Sequence, residues 1–279
     1  MPIRWVSAAG AALGRLLKRF RREDGVASAN IALAMPHLSA DERRHIVDRV
    51  WENSARTFFE FIKIDHLDFK EQARIVGSEH VTAAINAGRP IVFISGHLGN
   101  WNVSMCAIRQ FVSDSAAMYR KANNPLIEPA IRRIYQSFSP HMLTSQDDVR
   151  SILRQLRNGT TLALLSDQHN SSGVEVTFFG QKVLAPSGAA FFAWRSGAAL
   201  IPVSCRRGVR SDDPLSFEVT FEAPLPLPDA SVARAEAITQ LTQNYYSCLE
   251  KFIRQYPESW FWLHARFSKY SPPSPARNQ

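Results

Sequence analysis

Apolar positions along the chain follow two rhythms, and the switch between them marks out the elements. Over residues 3–22, Ile3, Val6, Leu13, Leu16, Leu17 and Phe20 recur at helical spacing. Arg4, Arg15, Lys18 and Arg22 fall on another face, with Arg19 and Arg21 adding charge. This predicts a basic amphipathic helix. Residues 30–39 read as a connector broken by Pro36. Ser39 is then placed to cap a helix whose first turn holds Asp41 and Glu42. That helix is expected to run to about Ile64, with Ile46, Val47, Val50, Trp51, Ala55, Phe58, Phe59 and Ile62 at three-to-four spacing. After the break Gly88-Arg89-Pro90 the rhythm changes. Ile91 to Ile94 is an unbroken apolar run, the mark of a strand buried on both faces. Further strands are expected at 115–120, 161–166, 174–179, 200–205 and 216–222, and helices at 99–111, 125–138, 147–157 and 186–196. A last helix, 231–255, puts Val232, Ala235, Ile238, Leu241, Tyr245, Leu249 and Phe252 on one face. Alternating strands and helices predict an α/β fold, a mixed central sheet flanked by helices, with an N-terminal helical extension. The expected divisions are a membrane-surface helix at 1–25, one domain at 26–270 and a disordered tail at 271–279.

Composition narrows the function. The 279 residues are 45% hydrophobic and 21% charged, an ordinary globular balance. Lys and Arg number 33 against 25 Asp and Glu, a formal charge of +8. That excess suits nucleic acid, an anionic membrane, a phosphorylated substrate or an acidic carrier protein. The basic residues are spread along helices with no nucleic-acid motif, so nucleic acid is not expected as a partner. Cys106, Cys205 and Cys248 form no CxxC pair and no zinc spacing. No disulfide, metal or cofactor is expected. No uncharged apolar stretch reaches 18 residues, so a membrane span is not expected. The N-terminal segment lacks the cleavage pattern of a signal peptide. It reads either as an interfacial helix or as a surface helix packed on its own domain.

The sharpest candidate for chemistry is Ser95-Gly96-His97-Leu98-Gly99-Asn100-Trp101-Asn102, at the end of the 91–94 strand and the start of the next helix. Ligand sites in open α/β sheets gather beyond the carboxyl ends of strands. Gly96 and Gly99 leave the His97 ring approachable, and imidazole can take a proton near neutral pH. The plainer alternative is a capped turn in which His97 bonds a neighbouring carbonyl. Asp167-Gln168-His169 follows another apolar strand, where an Asp either serves a site or caps a turn.

A His followed by four residues and an acid is the signature of glycerolipid-type acyltransferases, and Gly96-His97-Leu98-Gly99-Asn100-Trp101 resembles the late acyltransferases of lipid A biosynthesis, the lauroyl/myristoyl family. Five further stretches resemble that family in order: Asn30 to Pro36, Arg56 to Glu60, Tyr119-Arg120 with Asn124-Pro125, Asp167-Gln168 with Gly173 and Phe178-Phe179-Gly180, and Pro257 to Phe267 with its Trp-x-Trp-x-His-x-Arg core. The resemblance spans about residues 26–268 and implies a glycerolipid-acyltransferase-like fold. The family carries more apolar helix ahead of this point than is expected here.

The resemblance implies acyl transfer from an acyl carrier protein thioester to a hydroxyl of an acylated, phosphorylated glucosamine lipid, at the cytoplasmic face of the inner membrane. His97 would be the general base. The family's acid falls on Asn102, an amide that can fix a tautomer but cannot stabilise imidazolium by charge. Three readings follow: His97 acts alone, another carboxylate (Asp167 foremost) reaches the site, or the chain binds lipid without transferring acyl groups. Arg133, with Arg132 beside it, falls nearest the family's oxyanion arginine, and Arg120 is a second candidate. Arg120, Arg132, Asn100 and Gln168 are candidate substrate contacts. Trp260, Phe261 and Trp262 are expected to pack in the core, with an interfacial aromatic contact to lipid as the alternative, and His264 to serve as a structural hydrogen-bonding group. A different acceptor (a glycerophospholipid, an aminolipid or a mannosylated inositol lipid) would keep the chemistry and change the product.

Overall fold

The computed structural model describes residues 1–18, 23–119, 121, 124–144 and 146–267. Arg120, the basic run at 19–22 and the tail at 271–279 lie outside them.

The helices are α1 (Ile3–Leu17), α2 (Glu23–Ala34), α3 (Ala40–Phe61), α4 (Phe69–Gln72), α5 (Ser78–Asn86), α6 (Trp101–Ile108), α7 (Glu128–Gln136), α8 (Val149–Arg157), α9 (Gly188–Ser196) and α10 (Arg234–Gln255). The strands are β1 (Ala73–Val76), β2 (Ile91–Ser95), β3 (Ser115–Met118), β4 (His141–Leu143), β5 (Thr161–Leu165), β6 (Val174–Phe178), β7 (Gln181–Ala185), β8 (Ala199–Arg207) and β9 (Phe217–Phe221). Seven strands form one sheet in the order β1-β9-β8-β2-β5-β3-β4. Neighbours run parallel except β8 and β9, so the sheet is mixed. β6 and β7 make a separate antiparallel hairpin. Its turn falls at Phe179 (φ 51°) and Gly180 (φ 72°), both left-handed as a tight hairpin requires.

The central strands are those the apolar runs predict. β2 is buried at all five positions, because helices cover both faces of the sheet. α5, α6 and α7 cover one face through Val81, Val103, Ile108 and Ile134. α8, α9, α10 and the β6–β7 hairpin cover the other through Ile152, Phe192, Leu241 and Val176. Ser39 caps α3 as expected, in a reciprocal box with Glu42.

Two expectations need revision. Residues 30–34 belong to α2 rather than to a connector; Pro36 stops that helix but does not prevent it. β1, α5, β4 and β7 went unread, being short elements without a long apolar run.

α1 packs along α3 through Ile3, Val6, Ser7, Gly10, Ala11 and Gly14. A Cβ on Gly10 would stand 2.8 Å from the Ala55 carbonyl oxygen, and one on Gly14 2.7 Å from that of Trp51. The buried face is therefore a stripe of small residues. Arg4, Arg15 and Lys18 pair with Asp213, Glu52 and Asp48, while Trp5, Leu13 and Leu16 stay exposed. Among the described residues no helix is long and apolar enough to cross a membrane.

Candidate active site

The loop from β2 into α6 is clamped from two sides. Thr57 Oγ1 on α3 donates to the Gly99 carbonyl (3.0 Å). Asn100 caps α6, its Oδ1 accepting from Asn102 N–H (3.1 Å), while its Nδ2 donates to Glu60 Oε2 (2.8 Å). Glu60 is itself paired with Arg207 (2.7 Å), the two side chains buried together. Burial pushes the Glu60 carboxyl up, and the Arg207 charge with hydrogen bonds from Arg207, Ser7 and Asn100 more than reverses this. From the C-terminal side, Gly99 N–H donates to the Ser259 carbonyl (2.6 Å) and Phe261 N–H to that of His97 (3.0 Å). Gly99 has φ 53°, and a Cβ there would lie 2.4 Å from the Cys205 carbonyl oxygen. Only glycine fits that turn.

This clamp presents His97 to Asp167, two residues beyond the end of β5. His97 Nδ1 lies 2.7 Å from Asp167 Oδ1. Asp167 Oδ2 accepts from His97 N–H (2.8 Å) and from Trp260 Nε1–H (2.8 Å). Asp167 is only 3% exposed. Burial alone would raise its pKa; the adjacent His97 and the bonds from His97 and Trp260 outweigh burial and hold it at about 2. An ionised acceptor at Nδ1 keeps the ring proton there and leaves the Nε2 lone pair free. Gly96 makes the approach possible, since a Cβ on it would stand 3.1 Å from Asp167 Oδ2.

The C-terminal segment completes the frame. Asn30 Nδ2 donates to the carbonyls of Trp262 (2.9 Å) and His264 (2.6 Å). Buried Arg266 donates to Tyr246 Oη (2.9 Å), whose hydroxyl donates to the Ser166 carbonyl beside Asp167 (2.8 Å). Gln168 Nε2 stands 2.8 Å from His264 Nε2 and 3.4 Å from His97 Nε2.

His97 opens on a cavity of about 850 Å³, large for a small-molecule site. Its buried wall is mostly apolar, with Phe93, Ile108, Ala117, Ala163 and Val203. Exposed Lys121, Gln168, His169 and His264 stand at the rim. Among the described lining residues Lys121 is the one lysine or arginine, and there is no carboxylate.

The site residues named from sequence separate here. His97, Asp167 and Gln168 come together. Asn102 lines the cavity but does not bond His97; its Nδ2 donates to Asn100 Oδ1 (3.1 Å), and its own Oδ1 is buried without a partner. Asn100 is a buried cap, with no access to the cavity. Arg132 and Arg133 are exposed on α7, and neither lines the cavity. Trp260 is more than core packing, because its indole N–H holds Asp167, and His264 reaches the rim through Gln168. Both lie in the C-terminal stretch that the family resemblance had already marked. Phe178 sits in the core against Tyr246 and Trp260.

The chain is similar to known acyl-transferring proteins. The chain is 26% identical to the lipid A biosynthesis lauroyltransferase of Escherichia coli (strain K12), covering 96% of this chain and 87% of that one. It is 25% identical to the phosphatidylinositol mannoside acyltransferase of Mycolicibacterium smegmatis, over 76% of this chain and 68% of that one. A crystal structure of a 1-acyl-sn-glycerophosphate acyltransferase from Thermotoga maritima aligns with 86% of this chain and 98% of its own, at 13% identity and a TM-score of 0.37. The model of the bacterial lipid A biosynthesis acyltransferases matches residues 1–269, and the chain belongs to that family of acyl-transferring enzymes.

Proposed function

We propose that this enzyme moves a fatty acyl chain from an acyl carrier protein thioester to a hydroxyl of a lipid A precursor, with His97 as general base and Asp167 as its acid partner. The observation that carries the reading is the His97–Asp167 pair opening on an apolar cavity. With its proton held at Nδ1, His97 offers Nε2 to the acceptor hydroxyl. Asp167 stabilises the imidazolium that forms, a contribution general base catalysis draws on. The apolar wall suits the acyl chain. Lys121 at the rim suits a lipid phosphate.

Three features support the wider setting. Arg132 and Arg133 on α7 and Arg150, Arg154 and Arg157 on α8 are exposed and basic; they suit an acidic carrier protein. Trp5, Leu13 and Leu16 on α1 form an exposed apolar face that suits the cytoplasmic surface of the inner membrane. Phe58, exposed on α3, adds apolar surface where it lines the cavity.

A second reading keeps the chemistry and changes the acceptor to a mannosylated inositol lipid or another glycolipid; similarity to the mycobacterial mannoside acyltransferases favours it. A non-catalytic role loses its motive, since the acid missing at position 102 has a counterpart in Asp167. The test is purified protein with acyl carrier protein thioester and tetraacylated lipid A precursor. A singly extended product, abolished by His97→Ala, is expected. No product, with His97→Ala indistinguishable from the unmodified chain, overturns the reading. Lipid profiling of a deletion strain distinguishes the acceptors: loss of one secondary acyl chain from lipid A supports the first.

A further inference from the structure

Attack on a thioester places negative charge on the carbonyl oxygen, and that charge needs a fixed donor close to the base. The two arginines nearest the family position stand exposed outside the cavity lining. The main-chain N–H groups around the base are already used: His97 N–H by Asp167, Leu98 N–H by the Gly96 carbonyl, and Gly99 N–H by that of Ser259. The Gln168 side chain is different. Its amide nitrogen carries two hydrogens and has two imidazole neighbours. His264 Nε2 is near enough to accept one of them, at 2.8 Å. The other faces His97 Nε2 at 3.4 Å, too long for a strong bond.

We propose that the Gln168 amide is the donor that stabilises the oxyanion, and that His264 is the positioning residue that aims it. The proposal rests on His97 acting as the base. The acceptor oxygen bonds to the thioester carbonyl carbon while its proton passes to His97 Nε2. The carbonyl π pair moves onto its oxygen, which takes the free N–H of Gln168 in place of the loose contact to His97. Collapse restores the C=O and breaks the C–S bond. The thiolate leaves and takes the proton back from His97 Nε2, giving the free thiol. A reacting hydroxyl sits roughly 3 Å from the base, and an oxyanion donor works at about 3 Å. A nitrogen 3.4 Å from Nε2 meets both conditions for one tetrahedral centre.

His264 serves this role only as an acceptor, with its Nε2 unprotonated. It is held below the usual imidazole range by its partial removal from water and by the neighbouring His97, against a smaller opposing pull from Asp167. Its main chain is fixed independently, by Asn30 on the His264 carbonyl. Side-chain changes at 264 therefore leave the segment anchored.

The experiment follows initial rates of thiol release from an acyl carrier protein thioester, with lipid acceptor and with water alone, in four variants. Gln168→Leu removes the donor and is expected to lower kcat about 100-fold with little change in KM, the scale of losing one oxyanion donor. His264→Phe keeps an aromatic ring, removes the acceptor and should lose at least tenfold in kcat. His264→Gln restores an acceptor oxygen and should recover most of that loss. The double variant Gln168→Leu with His264→Phe should be no worse than Gln168→Leu alone, because both act through one hydrogen bond. The proposal is overturned by Gln168→Leu within threefold of the unmodified enzyme, by losses that appear in KM alone, by His264→Gln as poor as His264→Phe, or by single losses that multiply. Both side chains are exposed, so thermal melts should coincide. An unmodified chain that releases no thiol would sink the acyltransfer reading and this proposal together. An active one indifferent to position 168 sinks this proposal alone.

Discussion

Replacing Asp167 with Asn tests the centre of the mechanism with the smallest change of shape. The carboxylate accepts three hydrogens: from His97 Nδ1 (2.7 Å), His97 N–H (2.8 Å) and Trp260 Nε1–H (2.8 Å). An amide offers one acceptor oxygen and one donor group. The arrangement that loses least turns the oxygen to the two N–H groups that share Oδ2. The amide NH₂ then faces His97 Nδ1, so the ring proton must move to Nε2. The base now presents a proton to the cavity instead of a lone pair. Regaining the active tautomer sets donor against donor in a buried site, at about 1–3 kcal/mol. Loss of the charge that steadies the imidazolium adds roughly 2–3 kcal/mol, a share of the usual electrostatic contribution. Together about 3–6 kcal/mol corresponds to a fall of roughly 10²–10⁴ in kcat. KM should hold, since Asp167 does not line the cavity. Stability supplies a second reading of the same variant. The Asp167 carboxyl is held at about 2 against an ordinary 3.8. A depressed carboxyl contributes stability that is present above its ordinary value and lost as pH falls through its folded value. The native chain therefore loses about 2 kcal/mol between pH 4 and pH 2 that Asp167→Asn lacks from the start. Steady-state acyl transfer and acid denaturation measure the two effects. An Asp167→Asn enzyme within tenfold of native kcat would refute the dyad.

Asn102→Ala is expected to keep kcat within about tenfold, because Asn102 bonds its cap and not the base; a loss equal to that of Asp167→Asn would return the acid's role to position 102. Glu60→Gln leaves Arg207 as a buried unpaired charge and should cost about 3–5 kcal/mol, lowering Tm by on the order of 10 °C in a thermal melt. Gly99→Ala combines a left-handed φ with a Cβ 2.4 Å from a carbonyl oxygen, so soluble yield and activity should fall together. Trp5→Ser with Leu16→Ser removes exposed apolar area from α1; co-sedimentation with anionic vesicles should drop severalfold at unchanged Tm.

What the sequence made legible follows from which forces act locally. β2 and β5 are unbroken apolar runs because both faces of the sheet are covered, so their positions could be read directly. β1 and β4 are edge strands of four and three residues, held by partners distant in sequence, and no local rhythm announces them. The same distinction divides the site. His97 was legible as a strand-end residue between glycines. The family pattern puts an acid five positions on, where this chain has Asn102, and Asp167 stood foremost among other carboxylates; the start of α6 turns Asn102 onto the Asn100 cap.

The partner comes instead through the sheet. β2 and β5 pair in parallel with Ser95 opposite Leu165, so residues two beyond each strand end emerge at the same height. Those residues are His97 and Asp167. Once the two strands are known to be neighbours, the dyad follows from register alone, across 70 positions of sequence. The order of strands was the missing piece, and periodicity does not carry it. Trp260 belongs to the same class of contact: Leu98 and Trp260 form an isolated antiparallel bridge, which lays the C-terminal segment against the His97 loop and brings the indole N–H to Asp167. Two of the stretches that resemble the family, the His97 loop and the C-terminal segment, thus meet because a single buried carboxylate takes its donors from both.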